Sequence, residues 1–78
     1  MKKYNTIYRK EYSILIDKLI AARNEAGLTQ IQVAEKIGWR QDYISKLESK
    51  QRRIDIIELY DFAKIYNKPM SYFIDHLK

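Results

Sequence analysis

The chain has no cysteine, so disulfides and thiolate metal sites are excluded and packing alone must hold it together. Its single histidine, His76, stands beside Asp75 near the C-terminus, and no glycine-rich phosphate loop is present. One isolated imidazole supplies neither a catalytic pair nor the ligands of a zinc site, so the expected protein is not an enzyme and takes neither metal nor cofactor. Two glycines and one proline among 78 residues leave no flexible linker or low-complexity tract. No apolar run approaches membrane-spanning length, and the basic start MKKYNTIYRKEY lacks the apolar centre of a signal peptide. The cytoplasm is the expected compartment.

Against these absences stand 46% hydrophobic and 32% charged residues, a balance that suits a compact helical domain and not a disordered tail. At 78 residues a single apolar core is just sufficient. The expected organisation is a basic lead-in over residues 1–7 and one domain over residues 8–78. Lys2 and Lys3, with Arg9 and Lys10 behind them, are candidates to lie near a phosphate backbone, although a frayed terminus is the simpler reading. The net charge of +5 is unevenly placed. Residues 36–53 hold Lys36, Arg40, Lys46, Lys50, Arg52 and Arg53 against Asp42 and Glu48, whereas residues 54–78 are slightly acidic. Charge alone supports a solvated helix face as well as it supports a polyanion partner.

Tyr12, Leu15, Ile16, Leu19, Ala22 and Ala26 recur at three- and four-residue steps and predict a helix over 8–26, which Gly27 ends in the left-handed conformation. Thr29, with Gln32 three residues on, makes a capping box for a helix over 30–37, a cap worth about 1 kcal/mol. Val33, Ala34 and Ile37 form its apolar face, Gly38 and Trp39 turn the chain, and Ile44 and Leu47 open a second face over 41–49. So short a turn makes the two helices cross steeply. Ala34 leaves room for the approach, and Gly38 supplies a positive φ that a residue with a Cβ reaches only at a cost of about 1–2 kcal/mol. After the basic segment SKQRRID, Asp55 is the N-cap of a helix carrying Ile56, Leu59, Phe62, Ala63 and Tyr66 on one face. Asn67 stops it, and Pro69 fits the first turn of a last short helix with Met70, Phe73, Ile74 and Leu77. The outcome is all-α: five helices, no strands and short connections.

The segments GLTQIQVAEKIGWRQDYISKLES and LYDFAKIYNKPMSYFI resemble the helix-turn-helix domain of the lambda-type phage repressor and Cro family, also called the XRE family, from about Leu19 to Ile74. The residues that carry the resemblance are the leucine-threonine-glutamine of Leu28, Thr29 and Gln30, then Val33-Ala34, Ile37-Gly38 and Tyr43-Ile44-Ser45-Lys46-Leu47-Glu48. It implies a five-helix lambda-repressor-like DNA-binding domain, with helices 2 and 3 as the helix-turn-helix. Such a domain binds double-stranded operator DNA in the major groove, usually as a symmetric dimer on a pseudo-palindrome. Two positions depart from the family: Lys50 stands where glycine is frequent, and Trp39 replaces a smaller aliphatic residue in the turn.

On that resemblance the helix over 41–49 enters the groove. Gln41 is the first base-reading candidate, because a carboxamide pairs with adenine through a donor and an acceptor. Asp42 either accepts from a cytosine amino group or only complements the helix dipole, and Lys46 donates to guanine. Ser45 is a weaker candidate. Gln30, Arg40, Tyr43, Lys50, Arg52 and Arg53 are the expected phosphate contacts, with Gln30 at a helix N-terminus and, by resemblance, a brace for Gln41. Family members often pair an arginine with a glutamate where this chain has Arg23 and Glu48, which implies a partly buried ion pair. A single domain reads few base pairs, so a homodimer is expected through Met70, Tyr72, Phe73 and Leu77, of which Phe73 fits the core better. The resulting function is a small transcriptional regulator, a repressor. The rival is an antitoxin or anti-repressor module that masks a protein partner and autoregulates its operon; no membrane partner is expected.

Overall fold

The structure, a computed structural model, describes residues 5–77. Lys2 and Lys3 lie outside the described residues. Five helices, α1 (Lys10–Glu25), α2 (Gln30–Ile37), α3 (Gln41–Glu48), α4 (Ile56–Ile65) and α5 (Met70–Ile74), follow a 3-10 turn at Thr6–Tyr8. Among the described residues there is no strand, and no helix is long and apolar enough to cross a membrane.

Helix α1 starts two residues later than its apolar period suggests. Asn5 Oδ1 accepts from the Ile7 N–H at 3.3 Å and begins the 3-10 turn, which seats Ile7 against the core and leaves Tyr8 exposed. The buried face of α1 is then Tyr12, Ile16, Leu19 and Ala22, with Ala26 outside it. Side-chain caps start α2 and α4. Thr29 Oγ1 accepts from Gln32 N–H at 3.1 Å while Gln32 Oε1 accepts from Thr29 N–H at 2.9 Å. Asp55 and Glu58 repeat this box at 2.7 and 3.0 Å.

Three helices end the same way, with paired backbone bonds closed by a left-handed residue. These are Gly27 (φ 72°) after α1, Lys50 (φ 65°) after α3 and Asn67 (φ 56°) after α4. After α3, Lys50 N–H reaches Leu47 O at 3.0 Å and Gln51 N–H reaches Lys46 O at 2.8 Å. The exit is thus the one a glycine would make, held by a residue that carries a Cβ at a cost of about 1 kcal/mol. Part of the compensation is visible. Lys50 Nζ bonds Ser13 Oγ at 2.8 Å and Asp17 Oδ1 at 2.9 Å, fastening the end of α3 to α1.

Between α2 and α3 the N–H groups of Gly38 (φ 81°) and Trp39 both reach the Ala34 carbonyl, at 2.9 and 3.0 Å. Ala34 itself is buried, as a close crossing requires. The fully buried side chains Ile16, Leu19, Val33, Ile44, Leu47, Phe62 and Phe73 draw on all five helices, so the crossing is set by one shared core. Ile56 is not part of it: it is 60% exposed, the buried stripe of α4 begins at Leu59, and Ile54 from the preceding loop packs against the core. At the other end α5 stops at Ile74, which leaves Leu77 beyond the helix and exposed. Lys18–Asp75 at 2.7 Å and Lys68–Glu25 at 2.9 Å tie this end to α1, and both ammonium groups lie over the ring of Tyr72. His76 is half-buried there, its Nε2 donating to the Glu11 carbonyl at 2.9 Å.

Candidate nucleic-acid interface

Helix α3 has two unlike sides. Ile44 and Leu47 are buried, whereas Gln41, Ser45 and Lys46 stand in solvent on the opposite side and Tyr43 is half in solvent beside them. Helical spacing explains the division, since residues three and four apart share a face. Gln41 opens the helix after Arg40, at the end that emerges from the crossing with α2.

Gln41 is held from below. Its Nε2 donates to Gln30 Oε1 at 3.1 Å, and Gln30 Nε2 donates to Glu48 Oε1 at 3.0 Å. Glu48 in turn accepts two bonds from Arg23, Nε to Oε2 at 2.7 Å and Nη2 to Oε1 at 3.0 Å. Arg23 Nη1 also donates to the Leu28 carbonyl at 2.8 Å, tying the α1–α2 link into the same network. The Arg23 and Glu48 side chains are 14% and 9% exposed, and the hydrogen bonds to Glu48 raise the Arg23 pKa further. The position of Arg23 against Glu48 was legible through the resemblance. The link from Glu48 through Gln30 was not, because it depends on how close the crossing brings α2 to the last turn of α3.

The basic residues divide into engaged and available groups. Lys50 points back to α1, as described above. Arg52 is folded over two rings, its guanidinium carbon 4.8 Å from the centre of Trp39 and 5.4 Å from that of Tyr43, with Glu58 at 3.6 Å. Its backbone carbonyl accepts from the Tyr12 hydroxyl at 2.6 Å, and its Nη1 is buried without a hydrogen-bond partner. Both residues, expected to meet phosphates, are engaged within the fold by packing and pairing. Arg40 is 79% exposed and bonded to Asp42 at 3.0 Å, which occupies one oxygen of the carboxylate proposed to read cytosine. Arg53 and Lys46 stand in solvent.

Trp39 makes edge contacts with Phe62 at 5.5 Å and Tyr43 at 5.9 Å. The turn tryptophan therefore bridges core and α3 surface, and the Arg52 guanidinium covers it. Of the residues expected at a dimer interface, Phe73 is fully buried and belongs to the core. Tyr72 and Met70 are half-buried, and only Leu77 is exposed. Other exposed apolar side chains are Tyr8, Ile31 and Tyr43 and, adjoining on α4, Ile56, Ile57 and Tyr60. A period-only reading puts Ile56 inside; its place in the first turn after the capping box was the signal that it could lie open.

A family model described as helix-turn-helix matches residues 19–73, which takes in α2, α3 and α4 whole. The chain belongs to this helix-turn-helix family. A curated relative from Sinorhizobium fredii, named as the uncharacterized HTH-type transcriptional regulator y4dJ, is 43% identical over 42 residues. Those residues cover 54% of this chain and 54% of the relative, so the chain spans about half the length of the curated relative it matches. No solved structure matches. Within the helix-turn-helix family match fall Arg23, Gln30, Gln41 and Glu48, the four residues of the hydrogen-bonded network.

Proposed function

We propose that the chain is a sequence-specific DNA-binding transcriptional regulator, a repressor, that places α3 in the major groove. The observation that carries this reading is the outward face of α3, where Gln41, Ser45 and Lys46 stand free of the core while α2 braces the first of them. Gln41 and Lys46 read bases, with Ser45 beside them. Asp42 mainly orients Arg40. Arg40, Tyr43 and Arg53 meet phosphates, and Gln30, whose side chain is engaged, offers the backbone N–H groups at the start of α2.

The partner copy docks on α4. Ile56, Ile57 and Tyr60 are 60%, 66% and 50% exposed and adjoin at helical spacing. A patch of this kind offers on the order of 300 Å², well under the roughly 800 Å² per partner of a standard interface. A homodimer of that size forms on DNA, where the operator supplies the rest of the binding energy.

The test is selection from a random duplex pool, followed by titration of the selected and a scrambled duplex. A pseudo-palindromic site bound in a two-to-one complex is expected, with Ile57→Asp binding half-sites one at a time. Equal affinity for selected and scrambled duplexes refutes the reading. An unrelated chain that seats on Ile57 and is displaced by Ile57→Asp, with no two-to-one complex on DNA, favours the antitoxin or anti-repressor alternative.

A further inference from the structure

We propose that Glu48 is a specificity-determining residue: a carboxylate that never reaches the DNA decides which way round the Gln41 amide faces a base. The inference rests on the reading of α3 given above and adds the anchor to it. The reasoning is one of hydrogen-bond polarity. A carboxylate gripped by a guanidinium accepts at both oxygens, and Arg23 grips Glu48 in that way at 2.7 and 3.0 Å. The group that Gln30 turns to Glu48 Oε1, 3.0 Å away, must then be its NH2. That leaves the Gln30 carbonyl for Gln41, whose Nε2 donates to it at 3.1 Å. A Gln41 amide turned over would set carbonyl against carbonyl. Gln41 therefore presents to the groove its own carbonyl oxygen and the one N–H that Gln30 does not take.

This fork matches one purine and opposes the other. Adenine shows a donor at N6 next to an acceptor at N7, whereas guanine shows acceptors at both O6 and N7. The held amide pairs with adenine and sets its oxygen against guanine O6. An amide free to turn can give an N–H to O6 and accepts guanine as well. Discrimination between the purines at this position thus comes from a charge fixed at the far end of α3, seven residues from Gln41 in the sequence.

The experiment compares duplexes carrying adenine or guanine at the position where Gln41→Ala loses its preference, at one salt concentration. Wild type should favour adenine by about tenfold or more, and Glu48→Gln, which can face Gln30 with either end of its amide, should bring the ratio within about threefold. The loss should come from improved binding to the guanine duplex and leave preferences at other positions in place. Gln30→Ala should lower the ratio equally, and Glu48→Gln/Gln30→Ala should lower it no further, because one relay carries both effects. Since Glu48→Gln disturbs Arg23, the double variant Arg23→Met/Glu48→Leu, which removes both charges, is measured too, with all proteins below their melting temperatures. Either folded variant that keeps the wild-type ratio overturns the inference, as do additive effects in Glu48→Gln/Gln30→Ala. A wild type without any sequence preference overturns the reading of α3 and the inference with it. Preference in wild type, unchanged in Glu48→Gln, overturns the inference alone.

Discussion

Replacing Arg23 with methionine asks how far the fold depends on one side chain. Arg23 makes three hydrogen bonds, two to Glu48 and one to the Leu28 carbonyl. Arg23→Met leaves a carboxylate that is 9% exposed with only the Gln30 amide as a partner, and it leaves the Leu28 carbonyl without this donor. Removing one partner of such a pair costs about 3–5 kcal/mol. At roughly 0.05–0.15 kcal/mol per residue, a domain of this size has about 4–12 kcal/mol in total. The loss is therefore about a quarter of the total or more. Urea unfolding followed by circular dichroism reads this directly, because a slope near 1–2 kcal/mol per molar turns the loss into a midpoint shift of about 1.5–5 M.

The same reasoning predicts recovery. Arg23→Met/Glu48→Leu leaves no buried charge behind, and apolar replacement of such pairs is often neutral or stabilising by about 1–4 kcal/mol. The double variant should be more stable than Arg23→Met although it carries one more substitution. An Arg23→Met midpoint equal to that of wild type, or a double variant no more stable than the single, would refute the assignment of the cost to an unpaired carboxylate.

Lys50→Gly should unfold within about 1 kcal/mol of wild type, or slightly later, since relief at φ 65° offsets loss of a half-exposed pair. Lys50→Ala keeps the strained backbone, loses the pair and should cost about 1 kcal/mol in the same urea assay. Arg53→Gln should lower the slope of log K against log salt by about 0.9 with no change in melting. Arg52→Gln should leave that slope unchanged and lower the melting temperature; the reverse pattern places Arg52 on the phosphates. Burial, with the Glu48 carboxylate adding to it, pushes the Tyr66 hydroxyl well above its ordinary value near 10. The unfolded phenol ionises first as pH rises, so stability is fully present below about pH 10 and falls above it. Tyr66→Phe should lose less stability than wild type between pH 9 and 11, and an equal loss would remove Tyr66 from the cause.

What was legible in the sequence was whatever local geometry decides. Thr29 with Gln32, Gly38 and Asn67 announce their caps and turns because the chemistry sits within a few residues of each. Lys50 shows where that stops. The hydrogen-bonding pattern at the end of α3 asks for glycine, and a lysine takes the left-handed position with Ser13 and Asp17 of α1 as its partners. Those partners are more than thirty positions away and carry no local signal. Ile56 marks a second limit, since an apolar residue at the right period stays exposed in the first turn of its helix. For the site, the resemblance placed Gln41 and Lys46 on the helix expected in the groove, and both stand in solvent on α3. The brace of Gln41 by Gln30 was implied by the resemblance, whereas the bond from Gln30 to Glu48 and the destinations of Lys50 and Arg52 followed only from the packing.

Charge is the feature that the fold most reinterprets. Of the six cations in residues 36–53, Lys50 pairs with α1 and Arg52 lies over the rings of Trp39 and Tyr43. Lys36 lines a shallow cleft with Asp61 and Lys64 between α2 and α4. Arg40, Lys46 and Arg53 remain for a nucleic acid. Arg40 and Arg53, the two cations assigned to phosphates, give one copy a slope of roughly −1.8 in log K against log salt, at about 0.9 each, and two copies roughly double it. On the proposed reading the operator collects two copies, and the α4 patch needs only enough area to bias their spacing. The slope itself then counts protomers: a value of about −4 on the selected duplex fits two, whereas a value of about −2 on the same duplex removes the second copy and the role of Ile57 with it.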